Sequence, residues 1–271
     1  MKIDLWFSEL QNEDVKFGVR LKSHLFSKES KYQKIDIFDT EFFGRVMSLD
    51  GCFMITDRDE FMYQEMLSHP GMCSHPGPRR VLIIGGGDGG VAREVLRYPV
   101  ERVDLVEIDE EVINAAKAYL PNLSVSFKDP RLKVHNQDAF EFVDRDGTYD
   151  LILVDSTDPI GFAASLFSEV FYMKAKKLLG KDGIIVTQAG SPFMNPEFLR
   201  KAYRGLSKFF KNVKPYLSFV PSYPSGMWSY IIASDSPINR KGEFTGKYYN
   251  SSIYESSFSL PQFITDLLKE D

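Results

Sequence analysis

The chain has 271 residues, 43% hydrophobic and 26% charged, enough to bury a sizeable core as one large domain or one domain with a small partner. A net charge of −5 argues against a nucleic-acid partner, because phosphate binding needs basic surface. Two cysteines (Cys52, Cys73) and four scattered histidines (His24, His69, His75, His135) make neither a disulfide framework nor a metal-ligand motif.

The start, Met1-Lys2-Ile3-Asp4-Leu5-Trp6, lacks the charged region and apolar run of a signal peptide. No apolar stretch approaches the ~20 residues of a membrane-spanning helix. A cytoplasmic protein without a membrane partner is expected. Residues 1–58 carry short alternating runs with strand character, among them Asp36-Ile37-Phe38-Asp39, 42–49 and Cys52-Phe53-Met54-Ile55-Thr56. Asp50-Gly51 between the last two tolerates the positive φ angles of a type I′ turn and predicts a hairpin. The segment reads as a small antiparallel β domain, with the rest of the chain, 59–271, as a second domain.

Residues 59–69 change to a helical period, with Thr56 or Asp57 near the cap. A Pro/Gly-rich passage over 70–78 then predicts a break between domains. From Val81 the pattern alternates apolar strands (81–84, 103–106, 132–134, 151–154, 183–187) with helices (91–97, 110–120, from 138, 168–178). Such alternation predicts a parallel sheet covered on both faces, a Rossmann-like doubly wound α/β fold. Strands over 213–219 and 227–233 and a short helix near 261–268 complete the chain.

The first of these strands ends in Gly85-Gly86-Gly87-Asp88-Gly89-Gly90. Glycines there let backbone approach a ligand and let the next helix pack closely. Glu107 closes the second strand, 22 positions after Gly85, where a carboxylate can accept from both ribose hydroxyls, although a solvated strand end has the same sequence. Asp88 inside the loop repels phosphate and attracts a cation, so the loop favours an adenosyl sulfonium over a dinucleotide. Asp138, after the third strand, fits an adenine amine, a helix N-cap, or both.

Leu151-Ile152-Leu153-Val154 delivers Asp155-Ser156-Thr157-Asp158-Pro159-Ile160-Gly161 to the carboxyl edge of the sheet, where ligands bind in open α/β folds. Two carboxylates three positions apart suit an ammonium ligand or a general base, while an Asx turn before Pro159 is the plainer alternative.

These strings resemble the polyamine aminopropyltransferases, and spermidine synthase in particular. Others carrying the likeness are Tyr32-Gln33, Leu49-Asp50-Gly51, Asp59-Glu60-Phe61-Met62-Tyr63-Gln64-Glu65-Met66, Glu107-Ile108-Asp109, Asp138-Ala139-Phe140, Thr187-Gln188, Ser222-Tyr223-Pro224-Ser225-Gly226 and Lys247-Tyr248-Tyr249-Asn250. The resemblance covers essentially the whole chain. It implies a sheet of the class I S-adenosylmethionine-dependent methyltransferase type, and a homodimer or homotetramer formed with help from the amino-terminal β domain. It implies transfer of an aminopropyl group from decarboxylated S-adenosylmethionine, a co-substrate rather than a cofactor, to putrescine. Gln33, Gln64, Asp88, Glu107, Asp138 and Ala139 would hold the donor. Asp155 would accept the proton, and Tyr63, Asp158 and Tyr223 would position the amine.

The chemistry agrees with those residue types. A diamine near pKa 10.4 is mostly protonated at neutral pH, and a carboxylate beside it can take the proton as nitrogen attacks. Asp88 facing the donor's ammonium would discriminate against the carboxylate of ordinary S-adenosylmethionine. No metal is called for, since the leaving group departs as a neutral thioether. Trp6, Tyr63, Tyr223 and Trp228 are candidate walls for the methylene chain, with core packing an equal account of the two tryptophans. The chain departs from the family where Phe162-Ala163-Ala164 stands in place of a Pro-Ala-Glu-like run, which puts Phe162 on the adenine side of the donor pocket, and where Ala139 replaces a common glycine. Another amine acceptor such as agmatine or cadaverine is an alternative, as is an amine N-methyltransferase.

Overall fold

Period-two alternation builds the first sheet. The computed structural model describes residues 4–159 and 161–269; residues 1–3 and Ile160, both quoted above, lie outside the described residues. Strands β1 (Leu5–Leu10), β2 (Lys16–Glu29), β3 (Lys34–Thr40), β4 (Gly44–Leu49) and β5 (Cys52–Thr56) pair in chain order, every pair antiparallel. Asp50 and Gly51 turn the β4–β5 hairpin with φ of 50° and 84°, and Leu49 pairs with Cys52 across it, as a type I′ turn requires. On β1, Phe7 and Glu9 face inward while Trp6, Ser8 and Leu10 face out.

Helix α1 (Glu60–Ser74) corrects the sequence reading twice. Its N-cap is Asp59, with Thr56 supporting it from outside: the Thr56 hydroxyl donates to Asp59 at 2.6 Å and accepts the Asp59 amide at 3.3 Å. The helix also runs through Pro70 rather than stopping there. Proline leaves the carbonyl four residues earlier without its helical partner. Here that carbonyl, on Met66, accepts instead from the Tyr216 hydroxyl at 2.8 Å, so a buried tyrosine from the far sheet carries the helix across the break.

The second sheet is built from β6 (Arg80–Gly85), β7 (Arg102–Glu107), β8 (Leu132–Asn136), β9 (Tyr149–Asp155), β10 (Leu179–Gln188), β11 (Asn212–Phe219) and β12 (Met227–Ser234), in the order β11-β12-β10-β9-β6-β7-β8. The strands from β8 to β10 run parallel; β12 is antiparallel to both its neighbours. Crossovers carry α2 (Gly90–Val95), α3 (Glu110–Tyr119), the single turns α4 (Pro121–Ser124) and α5 (Ala139–Phe142), α6 (Glu169–Leu178) and α7 (Pro196–Ser207). Helices α8 (Ser251–Ser257) and α9 (Gln262–Leu267) close the chain. The expected mixed α/β architecture is present. Alternate sheet residues feed two cores: Val81, Ile83, Leu151 and Leu153 pack on the α1 side, and Leu82, Ile84, Ile152 and Val154 on the α6–α7 side.

A third core joins the sheets. Ile35, Ile37, Met47 and Ile55 of the first sheet bury against Val112, Ala115 and Ala116 of α3. Elsewhere Glu65 of α1 accepts the amides of Lys247, Tyr248 and Tyr249, each at 2.8 Å, tying the carboxyl-terminal segment to the same helix. Charge-assisted acceptance of this kind is about twice as strong as a neutral hydrogen bond. Thus α1 anchors the carboxyl-terminal segment, and it carries Tyr63 and Gln64. Among the described residues no helix is long and apolar enough to cross a membrane.

Candidate active site

The carboxyl ends of β6, β7 and β9 face the first sheet across a cavity of about 470 Å³, within the usual range for small-molecule sites. Gly85 pairs with Asp155 across β6 and β9, and the Gly86 amide donates to the Asp155 carbonyl at 3.1 Å. A Cβ on Gly85 would lie 2.1 Å from that oxygen, and its φ is +80°, so the two loops can meet only if this residue is glycine.

One half of the cavity is floored by the glycine loop. Asp88 Oδ1 accepts from the Gly90 amide at 2.6 Å and from Gln64 Nε2 at 3.2 Å. Gln64 is fully buried, and its Oε1 has no hydrogen-bond partner among the described residues. Burial raises the Asp88 carboxyl above its ordinary range, although the Gly90 amide and the Arg93 charge pull the other way. Glu107 accepts the Asp109 amide at 3.0 Å. Burial pushes Glu107 up to about 7; the Asp109 amide opposes this and the Asp109 charge adds to it. Asp138 caps α5 by accepting the Phe140 amide at 2.7 Å, and it lines the cavity together with Ala139. Gln33, on the β2–β3 turn, reaches over from the first sheet, its Nε2 3.1 Å from Asp109 Oδ2.

The other half is assembled around Asp155. Tyr63 donates to Asp155 Oδ1 at 2.7 Å, while Oδ2 is buried without a partner among the described residues. Burial, reinforced by the charges of Asp88 and Glu107 and opposed by the Tyr63 hydrogen bond, pushes Asp155 up to about 8. Asp158 is likewise raised by burial, with a hydrogen bond from Gln188 opposing. Tyr223 donates to the Met54 carbonyl at 2.6 Å, and its ring meets those of Tyr63 and Trp228 edge-on at 5.4 and 4.6 Å. Both tyrosine protons are therefore committed, and each hydroxyl has only lone pairs left to offer. Such a surface accepts N–H groups and has nothing to give an anion.

Every residue selected from the sequence for the site except Trp6 thus lines this one cavity. Phe162 does so from its rim: it is 65% exposed and meets Tyr32 of the first sheet edge-on at 5.4 Å. Trp228 lines the cavity. Trp6 does not, since it occupies an outward position of β1 and is 61% exposed.

Glu9 and Gln188 are among the lining residues to which the sequence reading gave no role in the site. Glu9 is buried on β1 and accepts the Phe53 amide at 2.9 Å. Burial pushes it up to about 6, with the Phe53 amide opposing and the Asp158 charge adding. Its signal was a carboxylate in phase with inward-facing Phe7 on a strand. Gln188, at the end of β10, donates to the Ser156 carbonyl at 2.9 Å and accepts the Gly190 amide at 2.8 Å, which steadies the Asp155–Asp158 loop. Its signal was its place at the same carboxyl edge as Asp155.

Five carboxyl groups whose pKa values are raised (Glu9, Asp88, Glu107, Asp155 and Asp158) therefore line one low-dielectric space. A cationic ligand relieves both their desolvation and their mutual repulsion.

Residues 60–242 match the family model described as spermine/spermidine synthase domain, and residues 5–57 match the spermidine synthase tetramerisation domain. Polyamine aminopropyltransferase from Thermoplasma volcanium is 41% identical over 269 residues, 98% of each chain. The Clostridioides difficile protein of the same name is 40% identical over 283 residues, 99% of this chain and all of that one. Among solved structures, a spermidine synthase in complex with the transition state analogue AdoDATO superposes with a TM-score of 0.95 at 40% identity, covering 97% of this chain and 94% of that one. Spermidine synthase from Thermotoga maritima gives 0.94 at 39% identity, covering 98% and 95%.

Proposed function

The chain belongs to the spermine/spermidine synthase family of polyamine aminopropyltransferases, and we propose that its own reaction moves an aminopropyl group from decarboxylated S-adenosylmethionine to putrescine, with Asp155 as the base. The observation that carries this reading is the state of Asp155: one oxygen held by Tyr63 at 2.7 Å, the other buried and without a partner among the described residues.

In this reading Glu107 takes the ribose hydroxyls, Asp138 and Ala139 border the adenine beneath Phe162, and Asp88 with Gln64 Oε1 receives the donor's ammonium. Gln33 closes the donor from the first sheet. The acceptor lies between Tyr63, Tyr223 and Trp228, with Asp158 and Glu9 available to its second ammonium. Its reacting nitrogen donates to Asp155 Oδ2. As the nitrogen lone pair attacks the methylene beside sulfur, the carbon–sulfur bond breaks and its electrons neutralise the sulfonium. The proton from nitrogen passes to Asp155, and the products are spermidine and methylthioadenosine. Bound cations lower the Asp155 pKa from its ligand-free value, so the base is charged when it is needed. The step calls for no metal or redox group, because the thioether leaves without charge.

The same reading makes the enzyme a cytoplasmic homo-oligomer. The match of residues 5–57 to a tetramerisation domain supports the homo-oligomer, as do Trp6 and Leu10 on β1 and Phe42 on the β3–β4 turn, all more than half exposed.

The test is product formation from putrescine with each donor in turn. Spermidine from the decarboxylated donor is expected, with no N-methylputrescine from the ordinary one. Agmatine and cadaverine in place of putrescine locate the acceptor preference. Methylated product alone, or no turnover of any amine with the decarboxylated donor, rejects the proposal.

A further inference from the structure

Asp109 does not itself line the cavity; it is almost wholly buried, 1% exposed, at the seam between the two sheets. Its carboxylate is fully engaged. Oδ1 accepts the Glu111 amide at 3.1 Å and so caps α3. Oδ2 accepts from two residues of the β2–β3 turn, the Ser30 hydroxyl at 2.6 Å and Gln33 Nε2 at 3.1 Å. The Ser30 oxygen in turn accepts the amides of Tyr32 and Gln33 at 3.0 and 3.1 Å, so the turn is wrapped around one point. On the other side, the Asp109 amide donates to Glu107 Oε1 at 3.0 Å.

This arrangement fixes more than a position. A carboxylate only accepts hydrogen bonds, so the Gln33 group facing Asp109 must be its NH₂. The end of that side chain left for the cavity is the carbonyl oxygen. Gln33 lines the cavity, and an acceptor oxygen suits a ligand whose hydroxyl, amine and sulfonium groups offer hydrogen-bond protons or positive charge. With the amide reversed, a donor would face those same groups.

We propose that Asp109 is a positioning residue for the donor nucleoside: it sets the polarity of the Gln33 amide and the placement of Glu107, and so couples the amino-terminal sheet to donor affinity. The proposal rests on the donor assignment above and touches neither the base nor the acceptor. Asp109→Asn places an NH₂ group in this network. If Oδ1 keeps its cap on α3, the new amide nitrogen faces the Gln33 nitrogen, and Gln33 turns its donor end to the cavity. Gln33→Glu in that background restores a donor–acceptor pair with the direction of the bond reversed, and again presents an oxygen to the cavity.

The experiment measures KM for each substrate and calorimetric Kd for methylthioadenosine in the parent, Asp109→Asn, Gln33→Glu and the double variant. Asp109→Asn is expected to raise donor KM and methylthioadenosine Kd about tenfold, the scale of a lost charge-assisted hydrogen bond. Acceptor KM should stay within about twofold, and the double variant should return to within about threefold of the parent. Equal rises in both KM values, or a double variant no better than Asp109→Asn, overturn the proposal, because a merely structural carboxylate would behave that way. Should Asp109→Asn fail to fold, Gln33→Glu alone decides: it sets two carboxylates against each other, and a methylthioadenosine Kd within twofold of the parent at pH 8 rejects the coupling. A parent that binds methylthioadenosine but transfers no aminopropyl group would instead contradict the proposed reaction and leave the Asp109 comparison measurable.

Discussion

The two halves of the cavity are held in different ways. In the donor half the carboxylates and Gln33 are each tied to backbone or to a neighbour through at least one atom: Asp88 to the Gly90 amide and Gln64, Glu107 to the Asp109 amide, Asp138 to the Phe140 amide, Gln33 to Asp109. Gln64 Oε1 is the exception there, buried without a partner among the described residues. In the acceptor half the decisive atoms are left free: Asp155 Oδ2 has no partner among the described residues, and Tyr63 and Tyr223 have spent their protons and kept their lone pairs. The difference follows from what each half has to do. A nucleoside is bound by shape and fixed hydrogen bonds, which preorganised backbone supplies at little entropic cost. A nucleophile must lose a proton during the reaction, so the site needs a group with unused capacity.

The sharpest test of that contrast removes the free oxygen's basicity. Asp155→Asn keeps the Tyr63 contact and the shape of the cavity. Under the proposed mechanism it should reduce kcat by about two orders of magnitude or more, a typical contribution of a general base, while methylthioadenosine Kd stays within about threefold. The assay is single-turnover formation of spermidine beside calorimetry of the nucleoside. A kcat within tenfold of the parent would falsify the assignment of Asp155 as the base.

The complementary break lies in the other half. Glu107→Gln substitutes a neutral amide where the proposed ribose hydroxyls donate, and one of its two ends can no longer accept. Donor KM should rise about tenfold or more, the equivalent of one charge-assisted hydrogen bond. Acceptor KM should hardly move. If instead both substrates weaken together, the halves are not separable and the comparison fails.

The sequence made the donor half easier to read than the acceptor half, for a physical reason. Its glycine loop and proposed ribose carboxylate lie along one crossover: a glycine run at the end of β6 and a carboxylate at the end of β7 are local consequences of the doubly wound chain, and strand periodicity locates both. The acceptor half draws on α1, β9, the 220–226 loop and β1, and no local pattern reports that these meet. Tyr63 and Tyr223 were reached only through family likeness, as were Gln33 and Gln64 of the donor half, whereas Asp158 was read from its spacing to Asp155. Glu9 was missed, because alternation on a solvent-facing β1 is weak and its partner Phe53 lies 44 positions away. Asp109 was quoted within a motif, but nothing in its neighbourhood shows that Ser30 and Gln33 will close on it. The helical turn after Pro70 was hidden for the same reason, since the hydroxyl that rescues Met66 comes from Tyr216, 150 positions on.

The smallest effect expected concerns stability, and it separates the halves in the absence of any substrate. In the ligand-free protein Asp155 is raised from the ordinary range near 4 to about 8, chiefly by burial and then by Asp88. The folded state therefore holds this proton more tightly than the unfolded chain does. The stability associated with protonated Asp155 is fully present below the unfolded value near pH 4 and is lost progressively as pH rises toward the folded value near 8. Asparagine cannot ionise, so Asp155→Asn should escape that loss. Its Tm should exceed the parent's at pH 8 by about 3 °C, the shift that roughly 1 kcal/mol produces in a chain of this size, and the gap should close as pH falls toward 5. Saturating cationic acceptor should also narrow the gap at pH 8, because it stabilises the parent's carboxylate and offers the asparagine less. Thermal unfolding at both pH values, with and without putrescine, reads all four corners. A variant no more stable than the parent at pH 8 would mean that the free oxygen is solvated rather than strained, and that the acceptor half stores no electrostatic tension for its substrate to release.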